Sequence, residues 1–423
     1  MTKARAWPGM TLFCVAVLVG SIMTLRAEVT SEMLTPFVVV AALAMIAGEL
    51  VPMRLSQRTI APLTTAPALG LIVAPVTFGE APSAATALAI VWLSILIGGI
   101  LSRLSGRSVV EGSLGARFLG MAITAWLARG LHVDGRTVLE RVFAADVAPE
   151  TTALVLLGVA AVGGLVERFL EALVTWLEVG GRWTHFATQE VGPLAGIFAA
   201  TISSAPLIAL AYPVIDWAAI PLFVLPVVLT HIAVRRLIGI RRALGEATRA
   251  LSRLTEVTGC GRTGHPRRVA AISLELGQML GMDADELRLV EYTALLHDIG
   301  QLGLTEPLEG GVTLHASSEV QEEIAHAAAW ILQESDGLTE VLPLVDQVRT
   351  PFRQSREYGE NIPLASRIVR VANAWDDITE GSRAPRSREV ALERLHLGLG
   401  YDYDPEIVAT LERAIAASRQ ATP

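Results

Sequence analysis

Apolar stretches dominate the first 234 residues, each near the length a bilayer demands, and no other feature restricts the fold so tightly. A helix needs about 20 residues to cross the hydrocarbon, where backbone groups must pair internally. Eight stretches can be read, at 10–25, 33–51, 67–78, 83–101, 114–131, 152–173, 191–214 and 217–234; the third is short and the fifth carries charges. The first follows Lys3 and Arg5 and has no convincing small-residue cleavage site, so it reads as an uncleaved membrane helix rather than a signal peptide.

The charges divide the chain at the same place. Residues 1–232 carry 13 Lys/Arg and 14 Asp/Glu, against 21 and 28 in the rest, which accounts for most of the net charge of −8. The expected organisation is all-α: a multi-pass membrane domain of about eight helices over 1–234, a helical linker over 235–258 and a soluble helical domain over 259–423. An acidic soluble part lacks the basic surface that nonspecific duplex binding requires, so no nucleic acid duplex is expected as a partner. Cys14 and Cys260 show no ligand spacing and cannot form a disulfide framework.

Basic residues flank alternate loops: Lys3 and Arg5, Arg54 and Arg58, Arg103 and Arg107, then Arg235, Arg236, Arg241 and Arg242. With eight spans these all fall on one side, which the positive-inside rule assigns to the cytoplasm together with both termini. The expected location is the inner membrane, with the C-terminal domain cytoplasmic. Glu49, Arg117, Arg129, Glu167, Arg168 and Glu171 are the polar candidates for a ligand or ion path within the apolar part. Their positions near span ends read instead as snorkelling and interface anchoring, with Arg168 placed to neutralise Glu167 or Glu171.

Leu237, Ile240, Leu244, Ala247, Leu251, Leu254 and Thr258 alternate in steps of three and four, and no proline falls between Pro226 and Pro266. The last apolar stretch can therefore continue as one helix into a coiled coil that pairs two copies of the chain. The alternative is an amphipathic helix that lies on the membrane or packs on its own domain.

Beyond the linker, apolar spacing predicts a series of amphipathic helices, with no strand alternation and no Gly-rich phosphate loop. One ends in Ala294-Leu295-Leu296-His297-Asp298-Ile299-Gly300-Gln301-Leu302-Gly303. An imidazole nitrogen beside a carboxylate oxygen suits a divalent transition ion such as Fe or Mn. Two consecutive ligands converge only where the backbone leaves the regular helix, and Gly300 and Gly303 would permit that exit. A second histidine, His265, opens an upstream helix, a third, His326, lies on the following one, and His315 in a polar loop is a weaker candidate.

These residues, with Ile362-Pro363-Leu364-Ala365-Ser366-Arg367-Ile368, Val371-Ala372-Asn373-Ala374-Trp375-Asp376 and the stretch from Gly400 to Val408, carry a resemblance. The segment 259–423 resembles the HD superfamily of metal-dependent phosphohydrolases, and within it the HD-GYP branch, whose members hydrolyse cyclic di-GMP. The resemblance implies a helical fold, a divalent metal cofactor, and a cyclic dinucleotide or other phosphorylated small molecule as ligand.

By that likeness the metal set is His265, His297, Asp298 and, at the fourth place, Asn373, with His326 as the branch's additional ligand and Asp298 in the catalytic role. Asn373 keeps a carbonyl oxygen but no charge, so the ion should be weakly held; Asp376 on roughly the same helix face could replace the missing carboxylate. The paired histidines of the branch fall on Val348 and Arg349, and the loop Phe352 to Glu360 has no GYP. Gln301 stands where a phosphate-contacting lysine is usual, and Arg268 and Arg367 are candidate phosphate contacts.

Three readings follow. One is a membrane-anchored signalling phosphohydrolase with an incomplete metal site. The second is a module of the same fold that has lost catalysis and signals through ligand binding. The third, a transporter with a regulatory tail, rests on the number of spans alone.

Overall fold

The computed structural model describes residues 7–27, 34–55, 58–75, 83–179, 191–305, 317–382 and 384–420. Lys3, Arg5 and His315 lie outside them. The chain divides into two compact units, Met1–Ile238 and Gly239–Pro423, with the boundary inside the helix Ala219–Val257. Both units are helical. Strands among the described residues are two short antiparallel pairs, Met53–Leu55 with Arg58–Ile60 and His132–Val133 with Arg136–Thr137.

In the first unit the described parts of the apolar stretches are mainly helical, but the helices are unequal. Trp7–Arg26, Ala84–Leu104, Pro149–Glu178 and the run Leu194–Val257 are long and apolar enough to cross a membrane. Pro36–Leu50 and Pro62–Val73 have only 15 and 12 residues. At about 1.5 Å per residue the shorter one, expected to be short from the sequence, is far below the hydrocarbon thickness. Pro62–Val73 is buried on all sides, and its terminal carbonyls need partners in an apolar interior. Arg129 supplies them, donating from Nε to the Ile72 carbonyl at 2.8 Å and from Nη2 to the Ala74 carbonyl at 2.9 Å. Arg129 therefore caps a helix end and is not an interface anchor.

Small residues let these helices approach. Gly20 faces the Trp92 ring, Gly48 lies against the backbone of Leu63 and Thr64, and Gly120 against the Gly163 carbonyl, in each case with no room for a Cβ. Where apolar side chains gain little by leaving lipid, such close backbone contact is what holds helices together. Glu49, Arg117, Glu167 and Glu171 are also buried here. Arg117 pairs with Glu49 and Glu167, and Arg168 with Glu171, inside the bundle rather than snorkelling, because a charge this deep needs a counter-charge more than its stem can reach water.

The second unit is built from Gly239–Val257 at the end of the long helix, then His265–Met279, Ala284–Leu296, Ser318–Gln333, Leu364–Thr379, Pro385–Leu397 and Pro405–Gln420, with shorter turns between. One apolar cluster joins Val269, Leu295, Leu296, Ala328 and Val369; a second joins Leu276, Leu287, Ile368, Trp375, Leu395 and Val408. The helix Leu364–Thr379 contributes to both. The expected linker seam is divided. Leu244 and Leu251 pack on the first of these clusters, whereas Leu237, Ile240 and Leu254 remain exposed.

Candidate metal centre

Three backbone features bring the site together. Gly264 at φ 75° turns the chain into the helix His265–Met279, a left-handed conformation that favours glycine, so His265 stands at its first position with Pro266 next. Asp283 and Glu286 form a capping box on Ala284–Leu296, whose C-terminal cap is His297. Asp298, at φ −102° and ψ 6°, then leads into the 3₁₀ turn Ile299–Gly303, and this break lets two consecutive side chains converge.

Neither Gly300 nor Gly303 has positive φ, so their role is not to free the backbone. A Cβ on Gly300 would overlap the Ile324 carbonyl, and one on Gly303 would strike the Ala327 side chain. The two glycines let the helix Ser318–Gln333 lie directly against the turn.

His265, His297 and Asp298 each offer a ligand atom, and the three atoms lie within 4.8 Å of one another. His297 Nε2 is 3.1 Å from Asp298 Oδ2, 3.3 Å from His265 Nε2 and 3.2 Å from Asn373 Oδ1. His265 Nε2 is 3.6 Å from Asp298 Oδ2. Asn373 thus turns its carbonyl oxygen toward the cluster. The outer nitrogens are engaged: His265 Nδ1 donates to Asp376 Oδ2 at 2.7 Å, and His297 Nδ1 donates to the Ala294 carbonyl at 2.8 Å. Both rings are thereby oriented with Nε2 inward, as metal-bound histidines are.

Two Nε2 lone pairs this close repel unless a cation lies between them. In the ion-free state that cation is a proton. Burial works against a charged His297, but the Asp298 carboxylate beside it prevails and lifts its pKa to about 9. Burial likewise opposes charge on Asp298, yet His297, His265 and a hydrogen bond from Gln301 hold its carboxyl below the usual range. Two imidazoles and a carboxylate that already concentrate positive charge fit a borderline divalent transition ion.

Asp376 does not join the triplet. Its carboxylate also receives Arg268, Nε to Oδ1 at 2.7 Å and Nη2 to Oδ2 at 2.9 Å, so it sits behind His265 rather than in front of it. The sequence reading considered Asp376 only as a replacement ligand. Three positions after Asn373, it lies on roughly the same face of that helix, and its spacing alone does not mark it as the partner of His265. Burial would raise the Asp376 carboxyl, but His265 and Arg268 lower it. Asp377, 3.9 Å from His265 Nδ1, is instead raised, with burial as the main cause.

A cavity of about 480 Å³ opens on the cluster, lined by His297, Asp298, Asn373, His326, Arg349 and Arg370 among others. His326 is exposed at its rim and lies outside the three-atom cluster. Val348 is buried in the apolar core. Arg349 donates to the Gln321 carbonyl at 2.6 Å and pairs with Asp346 at 2.8 Å. Gln301 is buried beside Asp298. Arg367 pairs with Asp404 and donates to the Ile362 carbonyl, and neither it nor Arg268 lines this cavity.

Comparison with known proteins agrees with this geometry. The family model for the HD domain matches residues 262–376, which include His265, His297, Asp298, His326 and Asn373. That stretch is an HD domain. The chain is also similar to the cyclic di-GMP phosphodiesterase response regulator RpfG of Xanthomonas campestris pv. campestris (strain 8004), at 24% identity over 185 residues, covering 41% of this chain and 49% of that protein. The match thus spans about half the length of that relative.

Proposed function

We propose that this protein is a membrane-anchored signalling phosphodiesterase whose HD domain hydrolyses a cyclic dinucleotide, with cyclic di-GMP as the leading substrate. The observation that carries this reading is the convergence of His265 Nε2, His297 Nε2 and Asp298 Oδ2, with His297 and Asp298 lining a ligand-sized cavity. Those residues would hold a divalent ion of the Fe or Mn type, with Asn373 as a weak fourth donor. Such an ion, when bound, lowers the pKa of a coordinated water and neutralises charge on a phosphodiester. The chain's own residues do the rest. Asp376 and the Ala294 carbonyl orient the two imidazoles, Asp298 supplies the only formal negative charge in the triplet, and His326 and Arg349 edge the space a phosphate would enter.

The likeness to RpfG supports the substrate class. The four long apolar helices support membrane anchoring, and the arginines at 235, 236, 241 and 242 support a cytoplasmic second unit in the inner membrane. The exposed Leu237, Ile240 and Leu254 support a homodimer through the linker helix.

A second reading, a ligand-binding module without turnover, is favoured by one specific observation. Asn373 brings an amide to the fourth ligand position, and Val348 and Arg349 bring none of the imidazoles that a larger metal cluster would use. Elemental analysis of the full-length protein, prepared without chelators, with an assay of cyclic di-GMP hydrolysis, separates the two. About one transition ion per chain with turnover supports the enzyme. Cyclic di-GMP binding without metal or turnover replaces it with the module.

A further inference from the structure

Behind His265 the second unit holds another cavity, of about 290 Å³, which shares no lining residue with the one that opens on the metal centre. The helices His265–Met279, Leu364–Thr379, Pro385–Leu397 and Pro405–Gln420 all contribute to it. Its floor is apolar, with Leu276, Trp375 and Leu411 buried beneath it. The volume is close to the lower bound of about 300 Å³ for small-molecule pockets, so its occupant is small.

The polar groups on the lining differ in what they are already bound to. Arg268 and Asp376 are committed to each other, and Arg268 Nη1 also donates to the Thr263 carbonyl at 3.1 Å. Arg388 is half-buried, and among the described residues its side chain has no hydrogen bond or ion pair. The Ser382 hydroxyl accepts from the Ala384 amide at 3.2 Å and keeps its own hydrogen to donate. Glu275 is exposed, so solvent and salt screen its charge. One uncommitted guanidinium and one hydroxyl above an apolar floor fit a single carboxylate on an apolar body. A phosphate dianion would bring two negative charges to that guanidinium, in a cavity that Asp376 and Glu275 also line.

We propose that this cavity is a regulatory site for a small apolar monocarboxylate, and that the metal centre senses its occupancy through Arg268 and Asp376. The carboxylate seats on Arg388 and Ser382, and the apolar body covers Trp375. The Arg268 side chain is 35% exposed, so water competes for its bonds to Asp376. A ligand over Arg268 excludes that water, and charge-assisted bonds strengthen where the dielectric is low. Asp376 is then held more firmly against His265 Nδ1, which keeps Nε2 directed at His297 and Asp298. Metal affinity rises with occupancy, and by linkage the carboxylate binds more tightly to the metal-loaded protein by the same factor. The regulation rests on the metal-centre reading above; the binding site itself does not.

The test uses para-trifluoromethylbenzoate as probe, followed by fluorine NMR against the full-length, chelator-treated protein in nanodiscs, with empty nanodiscs as the blank. Saturable binding is expected. It should weaken about tenfold or more in Arg388→Gln, as loss of a charge-assisted bond does, and disappear in Ala271→Phe, which fills the cavity from an exposed position of its helix. Calorimetric titration with Mn²⁺ should then show about fivefold or tighter binding when the probe is saturating, the lower end of typical coupling. Absence of saturable binding, or binding unchanged in both variants, overturns the site. Mn²⁺ affinity indifferent to the probe overturns the regulation. A protein that takes up no Mn²⁺ at all would sink the metal-centre reading instead, and the probe titration would still decide the cavity.

Discussion

His265 and Asp376, 111 positions apart, are joined by a 2.7 Å hydrogen bond from Nδ1 to Oδ2, and both are buried. The bond fixes the tautomer of His265 and aims its Nε2 at His297 and Asp298. Asp376→Asn keeps the shape but loses the charge that orients the ring and holds Arg268. Metal affinity is expected to fall about 10–100-fold, the range for lost support behind a ligating histidine. Calorimetric titration with Mn²⁺ reads this, with circular dichroism confirming an intact fold. Arg268→Gln, one bond further out, should have a smaller effect.

Members of the triplet should differ sharply from the rim histidine. His297→Ala and Asp298→Ala each remove an atom of the 4.8 Å cluster, and His326→Ala removes none. Elemental analysis of the three purified variants should find the ion absent from the first two and retained in the third. Equal metal content in all three would dissolve the site assignment.

The parts of this site that were legible in sequence are those with local signatures. The His297-Asp298 pair followed by glycines at 300 and 303 marks a helix end, and His265 after Gly264 marks a helix start. Asn373 came only through the family likeness. Asp376 behind His265 was not legible as such, because it depends on which face of Leu364–Thr379 turns toward a helix a hundred residues earlier. The same limit explains Glu49, Arg117 and Glu167. Their positions near the ends of apolar stretches match those of snorkelling residues, and only the packing of three helices shows them paired inside. The stretch read at 67–78 has the length of the helix Pro62–Val73 but is set five positions late, because Pro62 opens the helix while apolar residues continue past its end at Val73.

Gly300 tests the close-packing account of the turn. A methyl group there meets the Ile324 carbonyl and side chain on the helix Ser318–Gln333. Gly300→Ala should therefore destabilise the domain by about 1–3 kcal/mol, as overpacking does, and displace the helix that carries His326. The readout is the thermal unfolding midpoint. Because the φ of Gly300 is not positive, the backbone itself tolerates Ala, and an unchanged midpoint would overturn the close-packing account.

The charged pairs set a pH window for the chelator-treated protein. His297 rises from 6.5 to about 9 on folding, so its contribution is complete below 6.5 and is lost as pH climbs through 9. Asp298 and Asp376 fall below 3.8, so theirs is complete above 3.8 and is lost as pH drops through their folded values. Asp377, raised by burial, takes back part of the acid-side gain. Thermal stability of this unit should peak between 3.8 and 6.5 and decline toward pH 9. A bound ion takes the place of the His297 proton, so metal loading should abolish the alkaline decline, and metal affinity should increase with pH up to about 9.

Asn373 is the residue that most directly separates a weakened enzyme from a binding module. Its Oδ1 already stands 3.2 Å from His297 Nε2, so Asn373→Asp places a charge at the cluster without asking the backbone to move. The triplet has two neutral imidazoles and one carboxylate when loaded, and a second carboxylate cancels the one positive charge left on a divalent ion. Affinity should increase by at least about tenfold, the lower end of what ligand support contributes at such sites. Turnover of cyclic di-GMP should increase with it if the rest of the cavity still positions a phosphodiester. Tighter metal with no turnover would place the lost function elsewhere, at Val348 and Arg349, where no imidazole remains to hold a second ion.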